Sequence, residues 1–386
     1  MLTTYYVILF YFLLSALIYM ALMIYYRNGI NNVISEKSVQ SHHDIFVSIV
    51  ICFRNEEHHL PELLKGIAEQ HFDKNKYEIL LYNDASTDGS VAIIKNFQMQ
   101  HPSIKIIYYD APQQQGCNSS KKLSINHAAT HSQAALMVIT DADCIFNENW
   151  LKTLVHTYCN KKAKLIAAPV AIAEKGQWIE QLQSYEMVAL TAVTAGAIGH
   201  KKAMMCNGAN MAFDRKVFLD LNPYKDNLQI SSGDDMFLLL AMQQWHGNSI
   251  EFVAHQDAVV FTYAKTNLKE YLHQRVRWAS KSKNYHENYI KLIALIVLNM
   301  NTTLLFSPLI LCFSPFKYGL TIITVMLLIK QFADYLCLKK YAATMHLKLK
   351  YVKLFCFQYV EALLTFLVAL KSIKGSYIWK NRKQHF

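Results

Sequence analysis

The sequence predicts an α/β domain, strands alternating with helices about a parallel sheet, set between membrane-spanning helices. Three observations predict it. Short β-branched apolar runs alternate with helical periods through the middle of the chain. Each run stops at a polar cluster, and both chain ends carry helix-length apolar stretches. Of 386 residues, 53% are hydrophobic and only 17% charged, against roughly a quarter charged in an ordinary soluble domain.

The elements follow in order. Residues 3–26, TTYYVILFYFLLSALIYMALMIYY, hold no charge and at about 1.5 Å per residue can cross a bilayer. No basic stretch precedes them and no small-residue cleavage site follows, so 1–27 reads as an anchor rather than a signal peptide. From about 45 to 285 the charge is ordinary and the length suits one core. FVSIVICF, from Phe46, reads as a strand buried on both faces and ends at Arg54-Asn55-Glu56-Glu57. Leu60, Leu63, Leu64 and Ile67 then recur on one helical face, with Pro61 near its start. YEILLY is a second strand, ending in NDASTDGS (83–90). VAIIKNF is helical, SIKIIYYD a third strand, Lys122 to His131 a helix, and ALMVIT a fourth strand. Apolar strands with a helix between each pair imply a parallel sheet with crossover helices. Such sheets bind ligands, nucleotides among them, at the C-terminal ends of their strands. No GxGxxG follows the first strand, and GCNSSKK (116–122) lacks the glycine that precedes the lysine of a phosphate loop. Neither a dinucleotide site nor a P-loop is expected.

Further on, Leu292 to Phe313 and Tyr318 to Leu338 read as membrane helices. Tyr351 to Leu370 is a third, interrupted by Gln358 and Glu361. Together they make a membrane segment of about 290–372, followed by a basic tail, 373–386. The net charge of +11 would suit a nucleic-acid partner, but its distribution does not. Lys339, Lys340, Lys348, Lys350, Lys353, Lys371 and the tail flank apolar runs, where they mark a cytoplasmic face and attract anionic lipid. Arg27, directly after the first span, likewise puts the middle domain in the cytoplasm. Three C-terminal spans would carry the tail to the other side, so two or three spans are expected, the third either crossing or lying re-entrant or interfacial. The eight cysteines form no CxxC pair and no zinc spacing, as in a reducing compartment.

Four short stretches carry chemistry. In ITDADC the fourth strand ends on Asp141 and Asp143, which repel unless a cation lies by them; a turn is the plainer alternative. In SSGDDMFLLL, Asp234 and Asp235 open a helical run, either as N-terminal caps or as a general base acting on a hydroxyl. In QRVRW, Gln274 and Trp278 share a helix face with Arg277 beside them. That suits a helix meeting the membrane, or an arginine on a diphosphate with a tryptophan stacked on a sugar or lipid acceptor. NGANMAF (207–213) is a tight turn, or a place where a polar ligand approaches backbone at Asn207 and Gly208.

In order, VSIVICFRNEE, NDASTD, DAD, NGANMAF, GDD and QRVRW, bracketed by apolar helices, resemble the membrane-bound family-two glycosyltransferases of the GT-A fold. The likeness is to the Q-x-x-R-W branch, which includes ceramide glucosyltransferase and the synthases of cellulose, chitin, hyaluronan and poly-N-acetylglucosamine. It covers about 45–285 by motif and the ends by hydropathy. The resemblance implies a UDP-sugar donor and Mg²⁺ or Mn²⁺ as cofactor. It places Asp84 on the uracil with Asp88 supporting the loop, and Arg54 and Glu56 lining the nucleoside pocket. It implies Asp143 as metal ligand, Asp141 on the ribose or a metal-bound water, and Lys121 and Lys122 near the diphosphate or uracil. Asn207, Gly208, Gln274, Arg277 and Trp278 complete the donor site, and Asp235, with Asp234, is the base of an inverting transfer. The family's usual Glu-Asp reads Asp-Asp here. So few spans suit transfer to a lipid acceptor at the bilayer surface, with segment 176–199 and the QRVRW helix as interfacial elements. The alternative is a processive polysaccharide synthase on a glycan acceptor, with a partner subunit completing its channel. A glycosidase would leave QRVRW and the spans unexplained, and an inactive scaffold would not need the intact acidic motifs.

Overall fold

The computed structural model describes all residues but 1, 34–42, 175, 282–284, 286, 350, 374–375, 380–381 and 386. The chain divides into two compact units, Gly29–Ala264 and, from the two ends, Met1–Asn28 with Lys265–Phe386. The α/β unit therefore ends before the QRVRW helix, about twenty residues short of the boundary expected at 285.

Helix α1 (Leu2–Ile30) opens the chain. Then β1 (Val47–Phe53), α2 (Leu60–Ala68), β2 (Tyr77–Asn83), α3 (Ser90–Gln100), β3 (Lys105–Asp110), α4 (Ser120–His131) and β4 (Leu136–Asp141) follow the alternation read from the sequence. After them come β5 (Cys144–Phe146), α5 (Trp150–Lys161), β6 (Leu165–Ala167), β7 (Val170–Ala173) and α6 (Trp178–Gly199). The unit closes with β8 (Met211–Asp214), α7 (Arg215–Leu221), α8 (Asp234–His246), β9 (Ile250–Phe252) and β10 (Val260–Tyr263). The main sheet runs β3-β2-β1-β4-β8-β6-β9, and β5-β10-β7 forms a smaller one.

The first four strands pair in parallel, as their continuous apolar runs require: β2 is buried throughout and β1 at all but Cys52. Beyond these four strands the sheet is mixed: β8 is antiparallel to both β4 and β6. Met211 pairs with Ile139 at the C-terminal edge of β4, so the chain enters β8 from the edge where β4 ends and must run back. That entry puts the Asn207–Asn210 turn beside the acidic end of β4. One polar row crosses the core. Ser48 on β1 donates to Glu78 on β2 at 2.6 Å, and Lys105 on β3 meets the other Glu78 oxygen at 2.6 Å. The buried carboxylate is thus paired and hydrogen-bonded, the condition for placing a charge there.

Helix α6, expected at the membrane interface, is instead largely buried in the α/β unit. Its last turn is built for close approach. A Cβ at Gly199 would lie 1.9 Å from the Gly29 carbonyl oxygen, and one at Gly29 2.0 Å from that of Gly196. Only glycines let these backbones touch.

The second unit holds α9 (Leu268–Ser280), α10 (Asn288–Phe306), α11 (Phe316–Thr344), α12 (Tyr351–Ser372) and a hairpin of β11 (Ser376–Trp379) and β12 (Arg382–His385). Among the described residues four stretches are long and apolar enough to span a membrane: Tyr6–Val33, Asn288–Cys312, Phe316–Thr344 and Tyr351–Ser372. The last, at 22 residues, matches Phe316–Thr344 in hydropathy, so by length and composition it can cross. Gln358 and Glu361, which interrupt its apolar run, have partners. Lys330 of α11, fully buried, lies 2.9 Å from Asp334 and 3.6 Å from Glu361. Asp334 also accepts from Tyr19 of α1 at 2.6 Å and from Gln358 at 3.4 Å. Charges inside spanning helices are costly unless paired in this way.

Candidate active site

The site forms where β1, β2 and β4 end together: in register, Cys52 lies beside both Tyr82 and Asp141. Burial pushes the Cys52 thiol up to about 12, so it stays protonated and is no nucleophile. Past β1 and β2 the chain turns sharply through two left-handed non-glycine residues, Asn55 (φ 50°) and Ala85 (φ 53°). Strain of this kind persists only where the surroundings hold it. Here they do. Asn55 donates its amide to Ser86 Oγ at 3.0 Å and its side-chain oxygen accepts from Thr87 N at 2.8 Å. Asp84 N reaches the Phe53 carbonyl at 2.8 Å, and Arg54 Nη1 reaches the Asp84 carbonyl at 2.6 Å and its carboxylate at 4.0 Å.

Asp88 sits behind this loop. Its two oxygens accept from Glu57 N and Ser90 N, both at 3.1 Å. Its burial would raise the carboxyl, but Ser90 and these backbone donors hold it below the usual aspartate value. Glu56 meets the His59 ring at 2.8 Å.

The second half is organised by Lys121 at the first turn of α4. Its ammonium lies 2.7 Å from Asp141 and 3.2 Å from Asp234, tying the end of β4 to the start of α8. Burial presses the Lys121 pKa down, but the two carboxylates outweigh it and hold the ammonium well above the usual lysine value. Asp235 stands next. One of its oxygens accepts from Gly208 N at 3.3 Å and the other from Met236 N at 2.8 Å, at the N-terminus of α8, where backbone dipoles favour a carboxylate. Gly208 has no room to spare: a Cβ there would lie 3.3 Å from both Asp234 Oδ2 and Lys121 Nζ. The Asn207–Asn210 turn is closed by Asn210 N on the Asn207 carbonyl at 3.0 Å.

The structure thus brings Lys121, Asp141, Gly208, Asp234 and Asp235 together, and gathers Arg54, Glu56, Asp84 and Asp88 at the neighbouring strand ends. Lys122 departs from expectation. It is fully buried, and its ammonium donates to the carbonyls of Asn227 (2.7 Å) and Ile230 (3.0 Å). Successive helical residues point about 100° apart, so only one of two adjacent lysines can face the strand ends. Gln274, Arg277 and Trp278 lie on α9, in the other compact unit.

Two residues were passed over in the sequence. Arg275, between the named positions of QRVRW, donates to Gln274 at 2.7 Å and lies 4.2 Å from the Trp278 ring centroid and 4.7 Å from that of Tyr271. Its i−4 and i+3 aromatic neighbours were the signal. Asn210, fully buried, donates to the Pro169 and Ala258 carbonyls (2.7 and 2.8 Å) and accepts from Trp150 Nε1 at 3.0 Å. An amide inside the apolar NMAF was its signal.

Asp141, the last residue of β4, and Asp143, two residues further on, are the carboxylates that could hold a cation. Among the described residues no group of three or more His, Cys, Asp or Glu side chains could hold an ion alone. That fits a hard cation of the Mg²⁺ or Mn²⁺ kind, which one or two carboxylates hold together with substrate phosphates.

A mixed α/β sheet with acidic strand ends is the framework of the GT-A class, and among the described residues four helices are long and apolar enough to cross a membrane. The comparisons make the assignment particular. The model for glycosyl transferase family 2 matches residues 48–221, and that for glycosyl transferase family group 2 matches 136–368, more than half of the chain. The chain belongs to this family and is a glycosyltransferase. It is 25% identical to glycosyltransferase AglE of Haloferax volcanii over 49% of this chain and 59% of that protein. It is also 25% identical to a beta-monoglucosyldiacylglycerol synthase of Nostoc sp. over 64% of this chain and 51% of that one. The chain thus matches little more than half the length of these curated relatives. Among solved structures, mannosyltransferase PcManGT of Pyrobaculum calidifontis, in complex with GDP-Man and Mn²⁺, shares the fold with TM-score 0.54 and 16% identity, covering 95% of this chain and 99% of that one.

Proposed function

We propose that the protein transfers a sugar from a UDP-sugar to a hydroxyl of a membrane lipid, with inversion and with Asp235 as the base. The observation that carries this is the placement of Asp235 next to Asp234, which Lys121 ties to Asp141. The residue just before the proposed base and the donor-side carboxylate are thereby held by one ammonium. Asp235 takes the proton of the acceptor hydroxyl as its oxygen attacks the anomeric carbon. The nucleoside diphosphate leaves from the opposite face, giving a β-linked product from an α-linked donor without a covalent enzyme intermediate. Asp84, Arg54 and Glu56 hold the nucleoside, and Asp88 fixes their loop. Asp143 and Asp141 would hold a divalent cation, which when bound supplies positive charge to the diphosphate. Gln274, Arg277 and Trp278 are assigned to donor and acceptor binding on the family resemblance alone. A lipid acceptor is supported by the span-length helices and by the relative named as a glucosyldiacylglycerol synthase. The cytoplasmic side is proposed for the α/β unit on the charge pattern.

The test is a product assay on membranes containing the protein, given labelled UDP-sugars and GDP-mannose one at a time with Mn²⁺. A discrete labelled species in the organic phase, absent with Asp143→Ala and with Asp235→Asn, is expected. A high-mass aqueous polymer would replace this reading with that of a polysaccharide synthase. An active Asp235→Asn would remove the base assignment.

A further inference from the structure

The segment between Tyr224 and Asp234 leads straight into the acidic pair, and it is held in an unusual way. Four successive backbone carbonyls, those of Asn227, Leu228, Gln229 and Ile230, are each taken by residues 117–122. Lys122 Nζ binds the first and last, at 2.7 and 3.0 Å. Asn118 binds the middle two, through its amide N–H (3.0 Å) and its side-chain nitrogen (2.8 Å). Past the acidic pair, the ring of Phe237 lies 4.4 Å from the same Lys122 ammonium. One fully buried cation thus grips the chain on both sides of Gly233-Asp234-Asp235, and Gly233 between them is left-handed (φ 90°).

Burying an ammonium is costly unless polar partners surround it, and a merely structural strut could be apolar. A cation does what an apolar side chain cannot: it fixes where carbonyl oxygens point and also draws in an aromatic face. Next in the chain, Lys121 joins Asp141 to Asp234. The first turn of α4 therefore holds the donor-side carboxylate with one lysine and the approach to the base with the other.

We propose that Lys122, assisted by Asn118, is a positioning residue for the base. It sets the 227–230 segment, and so the direction of the Asp235 carboxylate, without touching substrate. This rests on Asp235 being the base. Losing Lys122 would slow the chemical step while the nucleotide, held at the strand ends, still binds.

The test uses the full chain in lipid nanodiscs, comparing Lys122→Met, Lys122→Arg, Asn118→Ala and Asp235→Asn by initial rates, UDP affinity with Mn²⁺ from calorimetry, and thermal melting. For Lys122→Met, kcat is expected to fall at least 30-fold with donor KM and UDP affinity within threefold of the parent. Lys122→Arg should recover part of the loss, and Asn118→Ala should show a milder fall of the same kind. A folded Lys122→Met with kcat within threefold of the parent overturns the proposal, as does a parallel loss of UDP affinity. If Lys122→Met does not fold, Asn118→Ala decides: lowered kcat with unchanged UDP affinity supports the proposal, and unchanged kcat overturns it. An inactive Asp235→Asn beside a fully active Lys122→Met removes this inference alone, whereas an active Asp235→Asn removes the base reading beneath it.

Discussion

Replacing Lys121 with methionine should have two opposite effects, and their sign follows from the distances. The ammonium lies 2.7 Å from Asp141 and 3.2 Å from Asp234. The Asp141 side chain is 42% exposed, so its attraction to Lys121 is screened and the dielectric of water sets a floor. At that dielectric a pair 2.7 Å apart is worth about 1.5 kcal/mol, roughly tenfold in an equilibrium constant. A free divalent cation approaching Asp141 competes with that pair. Lys121→Met should therefore bind free Mn²⁺ about tenfold more tightly than the parent. It should also transfer sugar at least a hundredfold more slowly, because Asp234 loses its tie to the end of β4. Mn²⁺ binding is read by electron paramagnetic resonance of the free ion at low salt, and transfer by initial rates. Salt should shrink the gain in Mn²⁺ affinity. If the variant binds Mn²⁺ no better than the parent, Asp141 is not a cation ligand competing with Lys121, and the reasoning fails.

Three further outcomes are expected. Asp214 caps α7 through Val217 N (3.0 Å) and meets Lys164 (2.6 Å) and Tyr158 (2.9 Å). Burial would raise its carboxyl, but Lys164, the Val217 amide and Tyr158 hold it below the usual aspartate value. The stabilisation is then complete above the unfolded value near 3.9 and lost as pH falls through the lower folded one; Asp214→Ala should cost about 2–3 kcal/mol at neutral pH and flatten melting temperature against pH between those two values. Asn210→Ala strands the Trp150 N–H and removes a donor from the Ala258 and Pro169 carbonyls, of which Pro169 keeps the Val260 N–H, a loss of about 2–3 kcal/mol, read as lowered denaturant resistance of tryptophan fluorescence. In the second unit, Lys330→Met or Asp334→Asn alone should destabilise by about 3–5 kcal/mol while the double variant recovers most of it; equal melting of all three would show that the pair carries no such energy.

What the sequence displays is local. The first four strands of the α/β unit were legible because each is an apolar run, and the acidic ends of β2 and β4 because charge stops such a run; the three- and four-residue strands β5 to β10 are too short to show a pattern. Long-range matters were not. The sense of β8 depends on where the chain re-enters the sheet, which no periodicity records. Lys121 and Lys122 are chemically alike and adjacent, so only the orientation of α4 separates an ammonium at the strand ends from one buried under the 227–230 carbonyls. Segment 176–199 has the apolar content of an interfacial helix, yet its small residues serve close packing inside the unit. Lys164 and Asp214 meet across fifty residues, with nothing local to announce the pair. Glu361 and Gln358 were visible as blemishes in a span, but their partners Lys330 and Asp334 lie on another helix.

That last pairing bears on biosynthesis. Lys330 and Asp334 are one helical turn apart on α11, so α11 carries its own countercharge as it leaves the ribosome and can partition into hydrocarbon as a neutral dipole. Glu361 emerges later, on α12, and finds Lys330 already in place. The order of translation is thus the order in which each charge meets its complement. A shuffled chain that delivered α12 ahead of α11 would present the translocon with a carboxylate before its lysine had been made.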